Sequence, residues 1–161
     1  MTREDFIARH GGIYEHSPWV AEAVFEAGGG APEGLAERMA TVVEAAGHDR
    51  QLALLRAHPE LAGKLAVRGE LTVESRSEQA SARLDQCSPE EFARFTALNA
   101  AYNAKFGFPF IIAVRGLQRA DILAAFERRA GNDPGQEFRT ALDQVHKIAR
   151  LRLAALAPGG G

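Results

Sequence analysis

Cysteine is almost absent from this sequence: Cys87 stands alone among 161 residues. One thiol closes no internal disulfide, which excludes a disulfide scaffold and fits a reducing, cytoplasmic setting. Long apolar runs are missing too. The longest, from Phe106 to Val114, is interrupted by a glycine and a proline. It falls well short of the ~20 residues a membrane helix needs. The chain opens Met-Thr-Arg-Glu-Asp, without the apolar centre of a signal peptide. It does not close on Ser-Lys-Leu, so no peroxisomal address is expected. Nor is there an excess of positive charge: the net charge is −2, against the basic face of a nucleic-acid binder. Five histidines are present, none spaced His-x-x-x-His or His-Glu-x-x-His. With a single cysteine no zinc knuckle can form, so no metal site is expected. Gly-x-Ser-x-Gly, the Walker loop and Gly-x-Gly-x-x-Gly are absent as well, which disfavours the common hydrolase and nucleotide-binding classes.

What remains has ordinary globular proportions, 46% hydrophobic and 25% charged. The length suits one domain over residues 1–157, with 158–161 as a flexible tail. Apolar residues recur at helical spacing nearly throughout. Thr2 with Asp5 opens a first helix that Gly11-Gly12 ends. Ser17-Pro18 reads as an N-cap followed by proline at the first helical position, with Trp19, Val20, Ala23 and Val24 inward. Pro32 is expected to open a third helix carrying Leu35, Met39, Val42 and Val43, closed by Gly47. Asp49 is the expected cap of a fourth, which carries Leu52, Leu54 and Leu55. A fifth helix is expected over roughly 77–84. Ser88-Pro89-Glu90-Glu91 is a capping box for a sixth, with Phe92, Phe95, Leu98, Tyr102 and Phe106 on its apolar side and Gly107 at its end. A seventh spans 120–130. Asp133-Pro134-Gly135-Gln136 starts the last, with Phe138, Ala141, Leu142, Val145, Ile148 and Ala149 on one face. Continuing that stripe reaches Arg152, whereas Arg150 falls on the solvent side. The fold class is therefore all-α, with about eight helices.

Two stretches depart from this pattern. The first is 58–79, a polar, turn-rich connection between helices. Pro59 pushes His58 out of the α region, so the preceding helix ends near His58 and leaves an imidazole at a helix exit. Glu78 and Gln79 are expected near the start of the next helix, where backbone N–H groups favour anions. The second is 108–114, which is extended, apolar and β-branched, with no partner strand in the chain. Its backbone groups need partners: a ligand, neighbouring side chains or water.

Five segments, in order, carry a resemblance: Glu15-His-Ser-Pro-Trp-Val-Ala-Glu22, His58-Pro-Glu-Leu-Ala-Gly63, Leu71-Thr-x-Glu-Ser-x-x-Glu-Gln79, Leu98-Asn-x-x-Tyr102 and Lys105-Phe-Gly-Phe-Pro-Phe-Ile111. Together they resemble the 2-oxo-4-hydroxy-4-carboxy-5-ureidoimidazoline (OHCU) decarboxylase family, from about Gly11 to Leu153. The resemblance implies an all-helical homodimer that forms (S)-allantoin in urate degradation, without metal or organic cofactor. It implies His58 as general acid and Glu78 as its carboxylate partner. Pro59, Ser75 and Gln79 would be substrate contacts, Phe110, Ile111, Ile112, Ala113 and Val114 would line the site with backbone donors, and Arg152 would bind substrate. The implied partner is a small-molecule substrate, and no nucleic acid or membrane is expected as a partner.

Two other readings stand beside this one. A helical binding module with the same fold would need no catalytic site. A hydrolase of a related cyclic amide would need an activated nucleophile or a metal, for which no motif is present.

Overall fold

The computed structural model describes residues 1–63 and 69–156. Residues 64–68 of the central stretch and the tail expected at 158–161 lie outside the described residues. Among the described residues, eight α-helices and one 3₁₀ turn make up the regular structure and no strand occurs. The all-α expectation is met. The chain divides into two compact units, Met1–Ala57 with Val145–Gly161, and His58–Gln144.

In the first unit α1 (Arg3–His10), α2 (Trp19–Gly28), α3 (Leu35–Ala45) and α4 (His48–Arg56) pack each on the next. α1 starts as its sequence dictates: Thr2 Oγ1 accepts from the Asp5 N–H at 3.1 Å, and Asp5 reaches back to the Thr2 N–H. Its inner face carries Phe6, which lies 5.4 Å from the Phe25 ring of α2. Three expected starts shift. Ser17 is not the cap of α2: its hydroxyl donates to the Glu15 carbonyl, and Pro18, already helical at φ −62°, takes the cap position. α3 begins at Leu35 rather than Pro32, after Gly34 turns left-handed. α4 begins at His48, so Asp49 lies inside its first turn. Gly47, at φ 91°, supplies the turn that a side chain would resist. Met39, Val43, Leu54 and Leu55 are fully buried, each contributing about 1.5–3 kcal/mol of hydrophobic stabilisation. Trp19, expected in the core, is only half-buried and lies under the Arg50 guanidinium at 4.8 Å.

The second unit holds α5 (Val73–Ser81), α6 (Pro89–Phe106) and α7 (Arg119–Ala130). α5 starts at Val73, not Ser77, because Thr72 Oγ1 caps it by accepting from the Ser75 N–H at 3.1 Å. Arg83, at φ 58°, breaks the chain out of it before the 3₁₀ turn Leu84–Gln86. α6 carries the expected capping box between Ser88 and Glu91 and ends at left-handed Gly107. Its buried face is Phe95, Asn99 and Tyr102; Phe92, expected inward, is 42% exposed. Phe92 edges a cavity of about 440 Å³ with Leu84, Cys87 and Pro89. Phe126 of α7 meets Phe95 at 6.4 Å and Tyr102 at 5.7 Å, and stacks on Phe110 at 4.0 Å.

α8 (Pro134–Leu156) contributes to both units. Asp133 Oδ2 accepts from the Gln136 N–H at 3.1 Å, as its cap position requires. Ala141, Leu142, Val145, Ile148 and Ala149 are buried on α8, and Phe138 is half-buried. Arg152 is buried and Arg150 exposed, as the helical phase predicts. No helix among the described residues is long and apolar enough to cross a membrane.

Candidate functional site

His58 to Val114 all fall in the second unit. His58 is buried, two residues beyond the end of α4, where Pro59 forbids further helix. The loop that follows is irregular and strained. Ala62 takes φ 51°, left-handed for a residue with a Cβ. Two side-chain amides hold the loop in that shape. Gln79 Oε1 accepts from the Ala62 N–H at 3.1 Å, and its Nε2 donates to the Glu60 carbonyl at 3.3 Å. Asn99 Nδ2 donates to the Leu61 carbonyl at 3.0 Å. The backbone leaving His58 is thus fixed from both α5 and α6.

Ser75, Glu78 and Gln79 share one side of α5, because positions three and four apart lie on one helix face. Ser75 and Gln79 are buried and Glu78 is half-buried. The earlier start of α5 corrects one expectation. Ser75 sits in the first turn, whereas Glu78 and Gln79 lie beyond the reach of the helix-terminal N–H groups. Gln79, expected as a substrate contact, spends both ends of its amide on the loop backbone in this structure.

The segment 108–114 has no regular structure and is buried except at Ile112, which is half-buried. Side chains answer its backbone. Arg129 Nη1 donates to the Ile111 carbonyl at 2.7 Å, and the Ala113 N–H donates to Gln144 Oε1 at 2.9 Å. Arg129 is itself held. Its Nε donates to Glu137 Oε2 at 2.9 Å, its Nη2 lies 2.7 Å from the same oxygen, and its guanidinium stacks 4.4 Å over Phe110. Glu137, fully buried, also accepts from Tyr102 Oη and, at 3.1 Å, from Asn132 Nδ2. Burial, then the Glu137 carboxylate, pushes the Tyr102 phenol far above its ordinary pKa, so it stays a donor.

Reasoning from sequence missed Arg129, Glu137, Gln144 and Asn99. One signal was available: Tyr102 lies on the apolar stripe of α6, and a buried phenol needs a polar partner. Nothing in the spacing says which one.

Arg152 belongs to the first unit. Its Nη1 donates to the Gly12 carbonyl at 2.9 Å, and its Nη2 lies 3.7 Å from Glu15 Oε2. The same unit holds a second buried polar set: Tyr14 Oη is 2.7 Å from His146 Nδ1, and His146 Nε2 is 2.8 Å from Glu44 Oε2. Burial raises the Tyr14 phenol well above its ordinary value, so it keeps its proton. Among the described residues no group of His, Cys, Asp and Glu is placed to hold a metal ion. The Cys87 thiol is pushed up by burial and then by Glu91, which leaves it a poor nucleophile.

The family model for OHCU decarboxylase matches residues 1–154. The 2-oxo-4-hydroxy-4-carboxy-5-ureidoimidazoline decarboxylase of Haloferax volcanii is 46% identical over 155 residues, covering 96% of this chain and 90% of that protein. An (S)-allantoin synthase crystal structure superposes with a TM-score of 0.74 at 35% identity over 97% of this chain, which spans 51% of that longer one. A crystal structure of OHCU decarboxylase in the presence of (S)-allantoin gives the same TM-score, 0.74, at 24% identity over 97% of this chain and 98% of that one, a likeness of fold.

Proposed function

Because this chain belongs to the OHCU decarboxylase family, we propose that it decarboxylates 2-oxo-4-hydroxy-4-carboxy-5-ureidoimidazoline to (S)-allantoin, with His58 as the proton donor. The observation that carries this reading is the family match across 1–154, within which His58 stands buried at a helix exit on a latched loop. When the substrate carboxylate leaves as CO₂, its bonding pair enters the ring and places negative charge on an oxygen as an enolate. Two tasks remain: stabilising that oxygen and delivering a proton to one face of the carbon. Backbone N–H groups of 110–114 suit the first, since fixed donors cost no reorganisation. A histidine suits the second, because its ordinary pKa of ~6.5 lets it hold and release a proton near neutral pH. Solvent then returns a proton to the His58 imidazole. Glu78 orients the imidazole and favours its charged form. Pro59 shapes the wall beside it, and Ser75 shares the face of α5 that carries Glu78.

Arg152 enters this reading through the resemblance alone. Its test is a pair of variants: Arg152→Ala losing much of kcat/KM while Arg150→Ala loses little, with equal small losses removing Arg152. We also propose a cytoplasmic homodimer. The unpaired thiol of Cys87 supports the compartment, and light scattering of the purified protein tests the dimer. For the activity itself, the protein is added to freshly generated substrate while the rate and chirality of allantoin are followed. A single (S) enantiomer above the buffer rate is the expected result. A racemate at the buffer rate would favour the binding module instead.

A further inference from the structure

Residues 111–113 have no regular structure, so each of their buried backbone groups needs a partner of its own. The Ile111 carbonyl is taken by Arg129 at 2.7 Å and the Ala113 N–H by Gln144 at 2.9 Å. The two anchored residues flank Ile112, none of the three has a positive φ, and Ile112 is the half-exposed member of a buried segment. No hydrogen bond to the Ile112 N–H occurs among the described residues. Side chains therefore hold the backbone before and after Ile112, and its own N–H is the group between them that nothing among the described residues takes.

We propose that Arg129 and Gln144 are positioning residues that clamp Ile111 and Ala113, so that the Ile112 N–H is presented to the oxygen that gains charge when CO₂ leaves. The clamp rests on the decarboxylase reading above and adds to it the residues that aim the donor. Its rigidity comes from Glu137, which fixes Arg129 while itself accepting from Tyr102 and Asn132. A donor must sit within a few tenths of an ångström of the developing oxyanion, because a misplacement of about 1 Å costs roughly 10²-fold in rate. A mobile segment would not hold that tolerance, and Ile112 has no secondary structure of its own to hold it.

Gln144 gives the clean test, being half-buried and outside the ion pair. Gln144→Met keeps the length and removes the acceptor. Gln144→Glu keeps an acceptor for the Ala113 N–H. The expected result is a fall in kcat of roughly 10–10²-fold for Gln144→Met with KM within about 2-fold, and a kcat within about 3-fold of wild type for Gln144→Glu. The pH–rate profile of Gln144→Met should keep its shape, since no titrating group is touched. A merely structural role would lower the melting temperature of Gln144→Met without this kcat split, and the acceptor in Gln144→Glu would not restore turnover. Wild-type kcat in Gln144→Met, or a change confined to KM, overturns the clamp while leaving the decarboxylase reading intact. A wild-type protein with no activity above buffer overturns both.

Discussion

Two irregular, buried stretches of the second unit are held by opposite means. The loop 60–62 is latched by neutral amides, from Gln79 and Asn99. The segment 111–113 is held at Ile111 by a charge network, Arg129 with Glu137, and at Ala113 by the amide of Gln144. The difference follows from what each presents. The first presents a side chain, His58, whose ring adjusts through its own torsions once the backbone is fixed. The second presents a backbone peptide with no torsion to spare, so its support has to be the stiffer one. A guanidinium carries five donors in a rigid fork and so grips a carbonyl and a carboxylate in one fixed geometry, which the rotatable ammonium of a lysine does not impose.

The widest separation between the two regions is expected at His58 itself. His58→Asn should lower turnover by roughly 10²–10⁴-fold while helix content by circular dichroism stays unchanged. Activity near wild type in that variant would remove the first region from the chemistry. Next comes the charge network. Glu137→Leu strands a buried guanidinium and should cost about 3–5 kcal/mol in denaturant unfolding, whereas Arg129→Met with Glu137→Leu should recover most of that stability. The double variant should still turn over slowly, because nothing then holds the Ile111 carbonyl. A double variant with full kcat would erase the distinction between gripping and merely packing.

Gln79→Met comes third. Leaving the Ala62 N–H without its acceptor should cost about 1–3 kcal/mol and lower kcat as the loop relaxes, with KM little changed. A rise in KM at constant kcat would make Gln79 a substrate contact instead, and the latch incidental. Smallest is the half-exposed counterpart of the buried ion pair, Glu91 with Arg119 at 2.9 Å. The Ser88 backbone N–H, then the Arg119 hydrogen bond, hold the Glu91 carboxyl below its usual range. Such a depressed group stabilises the fold above its unfolded pKa, about 4.3, and that contribution is lost as pH falls through the folded value. Melting curves of wild type and Glu91→Gln should therefore differ slightly near neutrality and converge in acid. A gap that persisted in acid would mean that packing, not charge, is what the variant lost.

The sequence carries its helices more openly than its supports. Thr2, Ser88 and Asp133 cap where they were expected, because each brings its own acceptor to a free N–H. Ser17 and Asp49 do not, because the neighbouring Pro18 and Gly47 set the backbone first. Thr72 lies inside a polar stretch that masks its capping role, and that one cap sets the start of α5 at Val73, ahead of Ser75. His58 was legible because proline fixes a helix end locally. Arg129, Glu137 and Gln144 were not, since their partners lie 18, 8 and 31 residues away and each alone passes for an ordinary helix residue. The phase of α8 placed Arg152 inward, but the spacing gave no hint that Glu15 and Gly12 would meet it.

Trp19 is the only tryptophan in the chain, and it lies in the first unit beneath Arg50. Its fluorescence is therefore a private channel: the indole emission follows the surroundings of α2, while circular dichroism follows every helix. Ellipticity that fades on heating before the emission moves would mean that the second unit, with its latched loop and clamped peptide, opens first. Superimposed traces would mean that the whole chain melts as one.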